Sequence, residues 1–426
     1  MQFKAEVFQN AYLSQGTREV HAIMTITADD TVSGPAGLNT GGEKLFGIIC
    51  DTSGSMEGAK IHAAKQAMAR IIQLLPQDAF FFVIAGSDHA VTVAPCNRAT
   101  IENKQSASAA IRGIRAGGGT YISTWLSQAL AQFERMPGAI RQGLLLTDGQ
   151  NEQIDEPRLD AMLGACEGHF QCECRGVGAD WAVSELQKIS GKLLGSTDII
   201  ADAAAIEADF QGILERALKK DVTDVALRLW TPVGAHVLFC KQVSPQLVDL
   251  TGRARPVKPQ TSDYPTGAWG RSESRDYHFA IEVKPGGVGD EMLAGRASLI
   301  ITQNQIESKA TEARILAIWT NDDSKSTRIE RHVAHYTGQA ELAESIHQGL
   351  EARERGDDEV ATKLLGRAVK LAHDSGNEAT AKLLRTVVDV DNAREGTVRL
   401  KKSVAREDAM ALETRSTKTA RISHTS

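Results

Sequence analysis

Between residues 44 and 220 the hydrophobic pattern keeps switching period, and that alternation restricts the fold more than any other feature of the chain. "LFGIIC", "DAFFFVIAG", "AVTVAP", "QGLLLTDG", "FQCECRGVG" and "TDIIA" are short, mostly apolar runs of the kind found in strands covered on both faces. Between them lie helical stretches. Ile61, Ala64, Met68, Ile71, Ile72 and Leu75 form one apolar stripe before Pro76. "TIENKQSASAAIRGI", "ISTWLSQALAQFERM", "PRLDAMLGACEG", "DWAVSELQKISGKLLG" and "AIEADFQGILERALKK" supply the others. Strands alternating with helices predict a mainly parallel α/β sheet with helices on both faces.

The flanks read differently. In "REVHAIMTITAD", Val20, Ala22, Met24 and Ile26 share one face with period two, and "TVSGPAGLNTGGEK" then reads as a loop. From residue 221 the period of two returns in "DVALRLW", "AHVLFC", "RASLII" and "ARILAIW". "YHFAIEV" places Tyr277, Phe279, Ile281 and Val283 on one face. These runs predict an antiparallel β-sandwich. The N-terminal strands lack any other partner and are expected to join it, so the α/β unit is expected as an insertion. Three helical stripes follow: Leu342, Ile346 and Leu350; Leu364, Leu365 and Ala368; Leu383 and Val387. Gly356 and Gly376 are the expected stops between them. The expected division is 1–43 for N-terminal sandwich strands, 44–220 for the α/β domain, 221–332 for the sandwich, 333–400 for helices and 401–426 for a mobile tail. The tail is predicted from the apolar-poor "LETRSTKTARISHTS".

Composition narrows the class of function. The net charge of −6 implies no general attraction to nucleic acid or to an anionic membrane. The start, "MQFKAEVFQNAYL", lacks the basic, apolar and small-residue pattern of a secretory signal. No apolar run approaches the roughly 18 residues that span a bilayer. The six cysteines are scattered, as reduced core thiols are. A cytoplasmic protein is the expectation.

The chemistry concentrates in "CDTSGSMEG", where Asp51, Ser53 and Ser55 directly follow the first strand of the expected sheet. Ligands of open α/β sheets bind at the carboxyl ends of strands, where the strand order reverses. "GGGT" brings Thr120 to that edge and "LLLTDG" brings Asp148. Two carboxylates and three hydroxyls make an all-oxygen donor set, which suits Mg²⁺, or else Mn²⁺ or Ca²⁺.

The pattern D-x-S-x-S after an apolar strand, a later Thr after glycines, and T-D-G after another apolar strand resembles the von Willebrand factor A domain family and its metal-ion-dependent adhesion site. The resemblance covers residues 44 to 220. It implies a doubly wound fold with the site on its upper rim. It also implies that Ser53 and Ser55 bind the metal directly, and that Thr120 does so when a ligand is present. Asp51 and Asp148 would act directly or through water. The open metal position would be filled by an acidic side chain of a protein partner. "GVGADW" and the β flanks resemble bacterial intracellular members, some of which are linked to tellurite-resistance, kinase and phosphatase systems.

Other signals are weaker. "GLNTGGEK" has glycines at 37 and 42 but Glu43 where a phosphate loop needs Lys, and it precedes a strand. Cys166, His169, Cys172 and Cys174 invite a zinc reading, but the last two lie in a strand entering the core. Asp51 and Asp148 could be an acid–base pair, although no hydrolase motif accompanies them. In the tail, Thr417, Thr419 and Ser423 are possible kinase acceptors. The expectation is a non-enzymatic, metal-dependent protein-binding module. The alternatives are a metal-dependent phosphohydrolase, and a scaffold that assembles through its helices and uses the metal for stability alone.

Overall fold

The computed structural model describes residues 2–29, 42–303 and 306–422, and the chain divides into two compact units. One unit spans Asn39–Thr223. It runs β1 (Lys44–Asp51), α1 (Ala59–Leu74), β2 (Phe80–Gly86), β3 (Ala90–Arg98), α2 (Ile101–Arg112), α3 (Ile122–Phe133), β4 (Ile140–Thr147), α4 (Glu156–Cys166), β5 (Gln171–Val177), α5 (Val183–Lys192), β6 (Thr197–Ile200) and α6 (Ile206–Leu218).

The sheet order is β3-β2-β1-β4-β5-β6, the doubly wound arrangement. β1 lies between β2 and β4 and is parallel to both, with Ile48 opposite Val83 on one side and Leu144 on the other. Only the edge strand β3 runs antiparallel, paired with β2. The three residues between β2 and β3 suffice for a hairpin, whereas a parallel crossover needs a dozen or more. Strand order therefore reverses between β1 and β4, whose carboxyl ends are Asp51 and Thr147.

Both faces of the sheet are covered, which is why its strands read as continuous apolar runs. Phe46, Ile48 and Cys50 of β1 pack with Ala64, Met68 and Ile71 of α1 and with Phe210 and Ile213 of α6. On another side Phe82 meets Phe133 of α3 edge-on at 4.7 Å, and Phe133 stacks on Phe170 at 4.4 Å. Each such large side chain contributes about 1.5–3 kcal/mol on burial. Local signals fix the helix ends: Thr100 caps α2 by accepting the Asn103 N–H, and α1 stops just before Pro76.

The second unit joins Met1–Leu38 to Asp224–Ser426. Its five-stranded sheet places Gln2–Gln9 beside Glu19–Asp29, then Ser274–Glu282, His236–Ser244 and Val248–Asp249. The strand Glu19–Asp29 thus pairs in register with residues some 250 positions later, Ile23 opposite His278. The α/β unit is inserted in an antiparallel sandwich. The other sheet orders Arg255–Lys258, Thr261–Pro265, Asp224–Trp230, Glu291–Gln303, Ile306–Thr320 and Tyr12–Ser14. Val20, Ala22, Met24 and Ile26 are all fully buried, as their period requires.

Helices Arg331–Glu354, Asp358–Asp374 and Glu378–Val387 follow, and Gly356 and Gly376 close the first two. Leu342, Ile346, Leu350, Leu365 and Leu384 form their common core. Tyr336 docks the first helix on the sheet, packed against Ile23 and Val243, and its hydroxyl donates to Asp276.

The expected mobile tail from residue 401 is corrected. Val388–Asn392 and Thr397–Leu400 form a hairpin, and Arg406–Arg415 is a helix that buries Met410 and Leu412. Beyond it, the Thr417 carbonyl accepts the Leu247 N–H at 2.8 Å, and the Thr419 N–H donates to the Pro245 carbonyl at 3.1 Å. Arg421 pairs with Asp276 at 3.2 Å. These bonds are mostly main-chain, so a polar composition does not reveal them. Thr419 donates its hydroxyl to the Val243 carbonyl and Thr417 donates to Thr414. Ser423 lies outside the described residues, as do most of the loop "TVSGPAGLNTGGEK" and Gly37 within it.

Candidate metal centre

β1 delivers Asp51 as its last residue, fully buried at the carboxyl end. One carboxylate oxygen accepts the Ser53 N–H at 2.7 Å, a turn that sends the chain back over the strand end. The other accepts the Thr147 hydroxyl at 2.5 Å. Burial pushes the Asp51 carboxyl above its usual range, against the pull of the Thr147 and Ser53 donors. The turn brings the Ser53 and Ser55 hydroxyls to 3.0 Å from one another. Ser55 then donates to Asp148 Oδ1 at 2.6 Å. Asp148 is fully buried one residue beyond β4, and its Oδ2 accepts from Lys60 Nζ at 2.5 Å.

Thr120 comes from the glycine loop. The Gly54 N–H bonds the Gly118 carbonyl at 2.9 Å, the Gly117 N–H bonds the Thr52 carbonyl at 2.8 Å, and the Glu152 N–H bonds the Thr120 carbonyl at 2.9 Å. These main-chain bonds sew three loops together. Gly149 reports where the side chains converge. A Cβ there would lie 3.2 Å from Thr120 Oγ1, 3.5 Å from Ser55 Oγ and 4.0 Å from Asp51 Oδ2. All five expected residues, Asp51, Ser53, Ser55, Thr120 and Asp148, therefore meet in one place.

The loops are held from behind. The Asn151 side chain accepts the Ile122 N–H at 2.9 Å, and the buried Asp155 carboxylate accepts the N–H and hydroxyl of Ser123 at 2.9 and 2.5 Å. Together they cap the start of α3 and tie the Asp148 loop to Thr120. The Asn151 N–H donates in turn to Glu185 of α5, at 3.1 Å to Oε2. Burial raises the Glu185 carboxyl to about 7.

The donor set fits a hard divalent ion. Oxygens at about 2.1 Å in an octahedron are about 3 Å from their neighbours. The Ser53–Ser55 and Ser55–Asp148 separations of 3.0 and 2.6 Å are of that size. Among the described residues no group of three or more His, Cys, Asp or Glu is placed to hold a metal, so hydroxyls have to complete any such site. That finding also removes the zinc reading. Cys166, Cys172 and Cys174 are buried free thiols, and His169 is half-exposed beside Glu134. Burial pushes the Cys166 thiol up to about 12, away from the thiolate that zinc needs.

Thr147, Gly149 and Lys60 were not singled out in the sequence. Thr147 and Gly149 flank Asp148 in "TDG", and the need for a small residue beside crowded ligands was a usable signal. Lys60 had one as well: a cation in the first turn of a helix opposes the helix dipole.

Comparison with known proteins agrees with the geometry. Residues 47–198 match the von Willebrand factor type A domain, and residues 370–416 match the von Willebrand factor type A C-terminal domain. A solved structure, von Willebrand factor type A from Catenulispora acidiphila, is 44% identical, with 99% of this chain and 97% of that chain covered and a TM-score of 0.93. The ArnB paralog VWA2 from Sulfolobus acidocaldarius shares the fold at 14% identity, with 98% of each chain covered and a TM-score of 0.61. An uncharacterised protein of Synechocystis is 29% identical over 210 residues, which are 48% of this chain and 49% of that protein. The chain spans about half the length of that relative, and 18% of human inter-alpha-trypsin inhibitor heavy chain H4, 30% identical over 167 residues. Among the described residues no helix is long and apolar enough to cross a membrane. With near-complete coverage of a 44% identical relative and a matching domain over the site, the chain belongs to the von Willebrand factor type A family.

Proposed function

We propose that this protein is a divalent-metal-dependent adaptor whose site binds an acidic side chain of a partner protein. Domains of this family are in general non-enzymatic, metal-dependent interaction modules. The observation that carries the reading is the convergence of Asp51, Ser53, Ser55, Thr120 and Asp148 around Gly149 at the switch point of the sheet. Asp51, Ser53, Ser55, Thr120 and Asp148 would hold the ion. Mg²⁺ is the ion that hard oxygens at this density favour, ahead of Mn²⁺ or Ca²⁺. Bound there, it supplies a Lewis-acidic position that a partner's Asp or Glu carboxylate completes. The residues of the chain supply orientation. Thr147 fixes the Asp51 carboxylate, and the Asn151 and Asp155 caps fix the approach of Thr120. Buried carboxylates without such donors would resist ionisation and bind metal poorly. The intended setting is the cytoplasm.

The test is a pull-down from native extract with Mg²⁺ against chelator, using wild type, Asp51→Ala and Thr120→Ala. Partners should be retained with Mg²⁺ and lost with chelator or with Asp51→Ala. Thr120→Ala should weaken partner capture more than metal binding. Capture indifferent to chelator would refute the mechanism and direct attention to the helices between 331 and 387. Phosphate release from a phosphoester panel with Mg²⁺ or Mn²⁺ would favour a phosphohydrolase instead.

A further inference from the structure

We infer that Lys60 sets the charge of the metal centre so that the loaded site selects an anionic partner group over a neutral one. The inference rests on the metal-site reading above and goes beyond it to a residue outside the ligand set. Lys60 is the second residue of α1, where a helix favours anions. A cation placed there works against the helix, and its compensation is specific: Nζ lies 2.5 Å from Oδ2 of the fully buried Asp148. The Lys60 side chain is itself 28% exposed, so its stem is covered and its ammonium is held at the site. Asp180 also approaches Lys60, but at 4.0 Å, and it is 74% exposed and screened by solvent. Asp88 at the far rim is exposed and accepts the Gly119 N–H at 2.6 Å.

Charge counting gives the consequence. Asp51 and Asp148 bring two negative charges and Lys60 returns one positive charge. A divalent ion then leaves the loaded centre at +1, and one carboxylate brings it to neutrality. Without Lys60 the loaded centre is already neutral, and a carboxylate gains little over a water or an amide. The same lysine competes with the ion for Asp148, so it weakens metal binding while it sharpens the choice of partner. Affinity is exchanged for specificity.

The experiment uses full-length protein, wild type, Lys60→Met, Lys60→Gln and Lys60→Arg, with Mn²⁺ as the metal probe and acetate against acetamide as the ligand probes. Free Mn²⁺ is counted from its paramagnetic resonance signal, and ligand binding from displacement of Mn²⁺-bound water in proton relaxation. Lys60→Met should bind Mn²⁺ roughly tenfold more tightly. It should bind acetate at least about fivefold more weakly, with acetamide unchanged. Lys60→Arg, which restores the charge, should recover acetate binding. If Lys60→Met does not fold, Lys60→Gln decides in its place. Acetate binding within about twofold of wild type in the methionine or glutamine variant, or equally weak in the arginine variant, overturns the inference while leaving the metal centre standing. Wild type that binds no Mn²⁺, or that binds it no better than Asp51→Ala, overturns the metal centre and this inference together.

Discussion

Two segments of this chain, residues 51–55 and 414–421, are both rich in hydroxyls and follow opposite logic. In the first, side-chain oxygens converge on one another, and the bonds of the turn itself are local: Asp51 to the Ser53 N–H and Ser53 to Ser55. In the second, the hydroxyls of Thr414, Ser416 and Thr417 donate to carbonyls three or four residues back, and the segment is tied to distant residues mainly through its main chain. The Thr417 carbonyl meets Leu247, and the Thr419 hydroxyl meets the Val243 carbonyl 176 positions away. Hydroxyls at close spacing make a site only when their oxygens have no nearer use. In the tail each one is consumed by a backbone carbonyl. The turn at 51–55 thus turns its side-chain oxygens toward one another and toward Asp148, whereas the tail hydroxyls are each spent on main-chain carbonyls.

The hardest test of that contrast is to stop the chain after Arg415. The lost bonds to Leu247, Pro245 and Val243, together with the Arg421–Asp276 pair, should cost about 3–5 kcal/mol at about 1 kcal/mol each for neutral bonds and more for the charged one. Asp276 would keep the Tyr336 hydroxyl alone among these two partners. The local readout is hydrogen exchange at the Leu247 amide. A truncated chain with full protection there would show that the tail is an ornament after all.

The metal loop should instead respond to pH, because one of its main-chain anchors is ionisable. Burial raises Glu185 from 4.5 to about 7, with Glu156 and Asp155 adding to the rise and Lys188 and the Asn151 N–H opposing it. Between those values the folded state holds a proton that the unfolded state has released. Stability therefore falls as pH rises from about 4.5 to about 7 and levels off above, by an amount on the order of 3 kcal/mol. Glu185→Gln should flatten that part of the profile in metal-free buffer. A profile identical to wild type would mean that Glu185 titrates normally.

Next in size is metal linkage. At a hundredfold excess over Kd, Mg²⁺ should stabilise the α/β unit by about 2.7 kcal/mol. Asp51→Ala and Ser53→Ala should lose the gain, whereas the chain stopped after Arg415 should keep it. Equal thermal shifts in wild type and Asp51→Ala would remove Asp51 from the site.

The contrast also explains what the sequence could reveal. The doubly wound sheet was legible because both its faces are covered, which leaves uninterrupted apolar runs such as "LFGIIC". That Asp51, Ser53 and Ser55 come together in one turn was legible because that turn is local. Thr120 and Asp148 followed from their places after glycines and after a strand. Asn151, Asp155 and Glu185 were not legible: their roles depend on which helix start or loop lies opposite, and no spacing encodes that. The direction of β3 was set by the length of a turn, a local fact that its apolar content hid. The tail was missed for the most general reason. Its attachment is largely by backbone groups, which every residue carries, so composition says nothing about it.

The smallest effect separates the two segments at the level of one hydroxyl. Thr419→Val keeps the shape and removes only the donor to the Val243 carbonyl at 2.7 Å. It should cost about 1 kcal/mol, with or without Mg²⁺, since a carbonyl retains a second lone pair and its own solvation. Ser55→Ala removes a hydroxyl that bridges Ser53 and Asp148, at 3.0 and 2.6 Å. Without metal its cost should be as small, because Ser55 is exposed and water can take its place. With Mg²⁺ the two variants should part: Thr419→Val keeps the full metal-induced rise in melting temperature and Ser55→Ala loses most of it. The measurement is a pair of thermal melts for each variant, with Mg²⁺ and with chelator. If Ser55→Ala retains the rise, then Ser55 belongs with Thr419, as a hydroxyl already spent on its own chain.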